Sequence, residues 1–267
     1  MTPPRTRPAA VAGLFYTDVP SDLRSEVDGL LQVASARGDS ENSVPKALIA
    51  PHAGYRYSGA IAASAYARLR SSREAVTRVV LMGPGHRVWV DGMASVGVEA
   101  FDTPWGPVRV DQAAIAEVID LPQVVIDDAA HGDEHSLEVH LPFLQACLSH
   151  FSIVPLVVGG ADAAQVAEVL ERLWGGPETL IVVSSDLSHH HDGVTARRID
   201  AQTSAAIEAL DLRGVSSAGA CGAAPIRGLL LQAQRRGLVV ETVDLRHSGD
   251  TAGSRDDVVG YGAYVFS

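Results

Sequence analysis

The chain has 267 residues, 46% of them hydrophobic and 20% charged, and a net charge of −11 from 21 Lys and Arg against 32 Asp and Glu. Such a composition supports a full apolar core and excludes wholesale disorder, and the acidity argues against nucleic-acid phosphates or anionic lipid as partners. Two cysteines, Cys147 and Cys221, are too few for a disulfide framework and form no CxxC pair. That usage points to a reducing, cytoplasmic location. The sequence holds neither a signal-peptide core nor a membrane-spanning run of roughly 20 apolar residues.

Residues 1–20 read as an extended lead-in anchored by Val11, Leu14, Phe15 and Tyr16. Residues 21–37 predict a helix capped by Ser21, with Leu23, Val27, Leu30 and Leu31 on one face. A polar loop from Asp39 to Pro45 follows. Ala47–Ala50 is a short buried strand, and Ser58–Leu69 a small-residue helix. Val79–Met82 is a second buried strand. Residues 92–110 suggest a hairpin turning at Asp102 to Gly106, and Asp111 caps a helix running to about Ile119. Ser136–Leu148 reads as a helix, Ile153–Val158 as a strand and Ala161–Trp174 as a helix. Leu180–Val183 is another buried strand. Helices over about Thr195–Leu210 and Ala224–Arg236 follow, the latter closed by Gly237. Strands over Leu238–Leu245 and Val258–Phe266 finish the chain. Four- to six-residue apolar strands alternating with helices predict an α/β fold. The expectation is one three-layer domain over residues 1–267, a largely parallel sheet with helices on both faces.

In open α/β sheets, ligands bind beyond the carboxyl ends of the strands. Three strands here end in a histidine motif: PHAGY at His52, GPGHR at His86 and SSDLSHH at His189. A fourth ends at Arg246-His247-Ser248-Gly249-Asp250. One such histidine is unremarkable, but several at the same topological end suggest a shared site. Histidine and carboxylate ligands suit a first-row divalent metal, Fe(II) in a two-His, one-carboxylate triad or Zn with a catalytic water. No cysteine stands in these loops, so a thiolate-based site is not expected.

A second cluster, Gly132-Asp133-Glu134-His135-Ser136-Leu137-Glu138-Val139-His140, opens the expected helix. There His135 and Glu138 would share a face. His135 and His140 would lie about 140° out of phase, so the cluster is not a zincin motif. Glu134, His135, Glu138 and His140, with Tyr55 of PHAGY, are candidates for outer partners of the metal or for substrate contacts; a solvated helix start is the plainer reading. Cys147 reads as a packing residue. Cys221, at a glycine-rich helix start, could approach the site but more simply packs.

Taken together, PAAVAGLFY, PHAGYRYSG, LMGPGHRV, DEHSLEVHLPF, IVPLVVGG, VVSSDLSHH and VVGYGAYVF resemble, in this order, the Memo family over nearly the whole chain. Bacterial members are described as protein B of the AmmeMemoRadiSam system. The resemblance implies a fold similar to the LigB-like class III extradiol dioxygenases, which hold non-haem Fe(II) with two His and a Glu. It implies His52 and His86 as metal ligands, His189 as the acid/base and Asp186 as an aspartate near the site. The animal protein places a cysteine ligand in the loop before the last strand. This chain has Ser248-Gly249-Asp250-Thr251 there, which makes Asp250 the candidate third ligand.

Two functions follow from the resemblance. The first is a dioxygenase-like oxidoreductase on a small organic substrate, with Fe(II) as cofactor and Zn or Cu as alternatives. The second is a non-catalytic partner of radical-SAM and Ammecr-type companions. Of the run SSDLSHHHD, only His189 and Asp186 are expected to face the crevice, with His190 and His191 on the rim and Asp192 capping the next helix.

Overall fold

The computed structural model describes residues 5–36 and 45–267; residues 39–44 of the expected polar loop lie outside them. The first half of the chain forms β1 (Thr6–Arg7), α1 (Pro20–Ser35), β2 (Ala47–Ala50), α2 (Tyr55–Tyr66), β3 (Arg78–Pro84), β4 (Met93–Ser95), β5 (Ala100–Phe101) and β6 (Val108–Val110). Next come α3 (Gln112–Ala116), β7 (Val124–Ile126), α4 (Asp128–Gly132), α5 (Leu141–Cys147), β8 (Ser152–Val158) and α6 (Ala163–Leu173). The last third holds β9 (Thr179–Ser184), β10 (His189–His191), α7 (Gly193–Glu208), α8 (Ala223–Arg236), β11 (Val240–His247) and β12 (Val258–Phe266).

Strands β6, β8, β3, β9 and β2 lie side by side and parallel. Every residue of β2 and β9 is buried, as is all of β3 beyond its first residue. These strands are covered above and below, which is why their sequences are unbroken apolar runs rather than alternations. β12 pairs antiparallel with β2, β11 and β10. Helix α2 packs on α1 and on β2, β11 and β12, and α8 packs on α6, β3 and β9, so helices flank both faces of the sheet.

The register sets the site. β9 lies between β3 and β2, with Ser184 beside Ala50 and Val183 beside Met82. His52 and His86, just past the ends of the two flanking strands, therefore lean over the end of the middle one.

Several boundaries differ from expectation. Pro20, not Ser21, opens α1, and Val19 precedes it; proline suits the first helical position because its missing N–H has no helical partner there. The helix expected from Ser136 begins only at Leu141, after a single tight turn over Glu138–His140, with Pro142 in its first turn. Only β5 and β6 form the expected hairpin; β4 pairs instead with β8 and β7. The histidine run is not a loop but β10, and β11 runs two residues later than expected, to His247.

The N-terminal segment is docked by one carboxylate. Glu138, fully buried, accepts hydrogen bonds from Arg7 Nη1 (2.6 Å), Ala10 N (2.7 Å), Val11 N (3.0 Å) and Tyr16 Oη (2.7 Å). Arg7 also donates to the carbonyls of His131 and Glu134. Removing one member of a buried pair strands the other charge. Glu138→Ala is expected to cost about 3–5 kcal/mol in urea denaturation; a loss below about 1 kcal/mol, the scale of an exposed pair, would show that this docking is dispensable.

Candidate metal centre

His52 follows β2 and is 2% exposed. Its amide donates to Asp186 Oδ1 (2.8 Å), which fixes the backbone beyond the strand. Its Nδ1 lies 2.6 Å from Ser184 Oγ. Ser184 has one proton and gives it to the Ser136 carbonyl (2.6 Å). Ser184 can therefore only accept from His52, so Nδ1 carries the imidazole proton and Nε2 a free lone pair.

His86 is fixed in the same way by a carboxylate. Its Nδ1 lies 2.9 Å from Glu134 Oε1, and its amide donates to Oε2. Glu134 Oε1 also accepts from the amides of His135 (2.9 Å) and Ser136 (2.9 Å). Burial alone would raise the Glu134 carboxyl. The bonds from the His86 ring, the His86 and Ser136 amides and the charge on His86 outweigh it, holding the group far below the usual carboxylate range. An ionised acceptor takes the Nδ1 proton, so that the lone pair of the neutral ring falls on Nε2. This carboxylate–histidine arrangement is the one that orients metal-binding imidazoles.

His135 completes the group. His52, His86 and His135 each offer a ligand atom within 4.8 Å of the others. The His86 and His135 rings stack with centroids 4.7 Å apart, and both present edges to His52. Phe15 packs on the outer side of His135 (4.9 Å). Burial, and then the charges of the other two rings, push His52 well below its ordinary value. Burial also lowers His135, against the pull of Glu134. His135 Nδ1 is buried 3.3 Å from Glu134 Oε1 and forms no well-directed hydrogen bond. Three converging imidazoles fit a divalent transition metal, which would be held by His52, His86 and His135.

Close approach makes this possible. A Cβ at Gly83 would stand 2.9 Å from Leu137 Cδ2 and 3.0 Å from both Ser136 Oγ and Ser184 Cβ, so only glycine lets the 134–138 segment press against β3 and β9.

The other expected residues fall as follows. Asp250 is not brought to this group, because Arg197 and the His247 amide take its two oxygens; His135, not Asp250, stands third beside His52 and His86. Asp186 is buried and supports the His52 backbone rather than His189. Burial raises its carboxyl, opposed by the His52 amide and by the charges of His189, His135 and His86. His189 is exposed and gives its Nδ1 proton to the Leu187 carbonyl (2.9 Å), which leaves Nε2 as an acceptor. His190 is exposed, sits at φ +59° and bonds Asp257, while Asp192 caps α7 as expected.

Glu138 is consumed by Arg7, as described. Tyr55 donates to the Val139 carbonyl (2.6 Å) and packs on Tyr16 and Phe143, and His140 bonds Tyr66 Oη (2.8 Å) in the core. Cys221, read as a packing residue in a protein not expected to use thiols, has its Sγ 3.4 Å from His52 Nε2. The only signal for it in the sequence is the small-residue run around it, GACGAA.

A mostly parallel α/β sheet whose carboxyl ends gather three imidazoles, one of them locked by a buried carboxylate, defines a histidine-lined, metal-competent α/β protein. A family model described as Memo-like protein matches residues 7–265, and the chain belongs to the Memo family. A MEMO1 family protein of Aquifex aeolicus is 34% identical, over 98% of this chain and 99% of its own length. One from Methanopyrus kandleri is 33% identical, over 97% and 98%. The crystal structure of an uncharacterized protein from Escherichia coli K12 has the same fold, with a TM-score of 0.52 at 16% identity, covering 82% of this chain and 99% of that one. Among the described residues, no helix is long and apolar enough to cross a membrane.

Two outcomes test the geometry. Ser184→Ala removes the acceptor that sets the His52 tautomer, and metal affinity in chelator-competition titrations should fall roughly 10–100-fold, as for other outer partners of a ligand. Unchanged affinity would show that the serine does not set it. The second concerns acid. Burial pushes His131 down to about 4 and His140 down to about 3. Unfolded imidazoles take up protons near pH 6.5, the folded ones only near those lower values. The stability they contribute is intact above about pH 6.5 and is lost as pH falls below it. Between about pH 7.5 and 5 the loss should be roughly 2 kcal/mol for each histidine, read from denaturant midpoints. A flat profile would contradict neutral, buried imidazoles at these positions.

Proposed function

We propose that this Memo-family chain is a metal-dependent oxidoreductase acting on a small organic substrate, with Fe(II) held by His52, His86 and His135. The observation that carries the reading is the convergence of these three side chains within 4.8 Å. The free lone pairs on His52 and His86 Nε2 support it. Imidazole donors suit iron, zinc and copper and not the hard cations that prefer all-oxygen sites. A ferrous ion, when bound, supplies the one-electron chemistry toward O2 that side chains lack.

The protein's own contribution is positional. Glu134 and Ser184 hold two imidazoles in the tautomer that presents Nε2. The buried surroundings of His52 exclude water and keep its ring neutral. His189 Nε2, free and exposed, can accept a proton from a substrate hydroxyl and return it later. An organic substrate with acidic hydroxyls, such as a catechol, is the class that this acid/base would serve.

The test is elemental analysis of untagged protein prepared anaerobically, followed by O2 uptake with a panel of catechols. Iron near one per chain in the wild type, absent from His52→Ala and His86→Ala, with O2 uptake in the wild type alone, is expected. His189→Ala should keep its iron and lose about 10²–10⁴-fold in turnover, the usual weight of a general acid/base; His191→Ala should be nearly silent. Stoichiometric zinc without O2 uptake would replace this reading with a hydrolytic one, and equal metal in wild type and His52→Ala would remove the site.

A further inference from the structure

A cleft of about 680 Å³ lies at the end of the sheet opposite the three imidazoles. Thr77 and Ser152, at the amino ends of β3 and β8, stand on its wall, whereas His52 and His86 lie beyond carboxyl ends. A strand of the length of β3 spans roughly 20 Å, and no residue belongs to both places. The volume falls in the range of small-molecule sites, roughly 300–1,000 Å³. Three basic side chains line the cleft, Arg24 from α1, Arg109 from β6 and His150 from the loop before β8, and no carboxylate does. Among the described residues, none of the three is paired with a carboxylate. Glu74 reaches the rim, where it accepts the Ser149 hydroxyl (2.5 Å), but does not line the cleft. The charge here therefore runs against the sign of a chain whose net charge is −11.

The walls are fixed before any ligand arrives. Arg109 is the middle residue of β6, between buried Val108 and Val110, so strand alternation turns it outward. Trp105 sits in a tight turn closed by the Gly106 amide on the Thr103 carbonyl (2.9 Å), with Gly106 at φ +96°, a conformation that glycine adopts freely. Gln145, near the end of α5, clamps this turn through Thr103 Oγ1 (2.9 Å) and the Gly106 carbonyl (3.2 Å). The indole N–H of Trp105 donates to the Pro20 carbonyl at the start of α1 (3.0 Å). One turn further along α1, Arg24 lays its guanidinium over the indole, 3.8 Å from the ring centroid. A guanidinium stacked in this way keeps its in-plane N–H donors for other partners. Leu148 and Phe151 add an apolar wall.

We propose that this cleft binds a small organic oxyanion, a carboxylate or phosphate monoester with a planar apolar body. Arg24 and Arg109 supply forked donors that match the oxygens of either head group. The body packs against Phe151, Leu148 and the Trp105–Arg24 stack. A bare anion would leave that aromatic wall in water, and a neutral body would leave both guanidinium groups without a partner. Binding needs no ion at His52, His86 and His135, so it is separate from the metal chemistry.

The probe is phenyl phosphate, titrated into isotope-labelled, metal-free full-length protein, with benzoate, inorganic phosphate and phenol as comparisons. The indole N–H signals of Trp89, Trp105 and Trp174 are followed by NMR, each assigned from its Trp→Phe variant. Phenyl phosphate or benzoate should shift Trp105 saturably and leave Trp89, near His86 at the other end of the sheet, in place. The tighter of the two names the head group. Inorganic phosphate and phenol should each bind at least roughly 10-fold more weakly, since each lacks one half of the recognition. Arg24→Gln and Arg109→Gln should each weaken binding roughly 10-fold or more, the weight of one charge-assisted hydrogen bond. Both side chains are exposed, so neither change threatens the fold, which far-ultraviolet circular dichroism checks. Inorganic phosphate that binds as tightly as phenyl phosphate would reduce the cleft to a place for an adventitious ion only. A shift at Trp89 without one at Trp105 would put the anion in the metal crevice. Either result would overturn the proposal, as would unchanged affinity in both arginine variants, or no saturable Trp105 shift with phenyl phosphate and benzoate. None of these outcomes touches the three-histidine site.

Discussion

The arrangement of the crevice depends on one buried carboxylate. Glu134 gathers four N–H groups, from the His86 ring and from the amides of His86, His135 and Ser136. A carboxylate in that position can only accept while ionised, and these donors keep it so. With the charge in place, the end of β3 and the segment beginning at Glu134 are tied together. The tie places the His86 ring, and with it the stacked His135 ring, over the end of β9. Remove the charge, and the two imidazoles with the shortest centroid separation in the site lose their common reference.

The carboxylate is itself held from behind. Arg7 donates to the Glu134 carbonyl and pairs with Glu138, which in turn receives the amides of Ala10 and Val11 and the hydroxyl of Tyr16. The same segment then supplies Phe15 to the face of His135. A segment with little regular structure of its own becomes a wall of the site, at the cost of burying one ion pair. Such a pair contributes little net stability when complete and is expensive when broken, so its value here lies in fixing one arrangement of the 131–138 segment.

Much of this was legible in the sequence because it follows from local rules. Ala47–Ala50, Val79–Met82 and Leu180–Val183 are apolar without period, which only strands covered on both faces require, and a ligand site beyond their carboxyl ends follows from the class of sheet. His52 and His86 were found on that ground. What was missed depends on contacts between distant segments. Treating residues 136–148 as one helix set His135 and Glu138 on a common face. The tight turn at Glu138–His140 instead sends Glu138 to the N-terminus and leaves His135 in the crevice. Asp250 was placed by the resemblance, in the loop where the animal protein has its cysteine ligand, but Arg197, far away in α7, decides where its carboxylate goes. Cys221 reaches His52 only because Gly222 lets α8 meet β9, and no local pattern reports such a contact.

The histidine run shows why density of ligand-type residues is a poor guide to a ligand site. Consecutive residues of a strand point to opposite faces, and β10 is irregular besides, with a register shift between His189 and His191 and His190 at φ +59°. A non-glycine residue there carries backbone strain, held in this case by pairing with β12 and by the Asp257 contact. Three adjacent imidazoles on such a backbone cannot converge on one point. Three imidazoles from the ends of β2 and β3 and the segment before α5 can, because each arrives on its own element and is held by its own neighbours: Ser184 for His52, the Glu134 side chain for His86, the Phe15 and His86 rings for His135. Convergence is a property of the fold, and the partner that fixes each ring is as diagnostic as the ring itself.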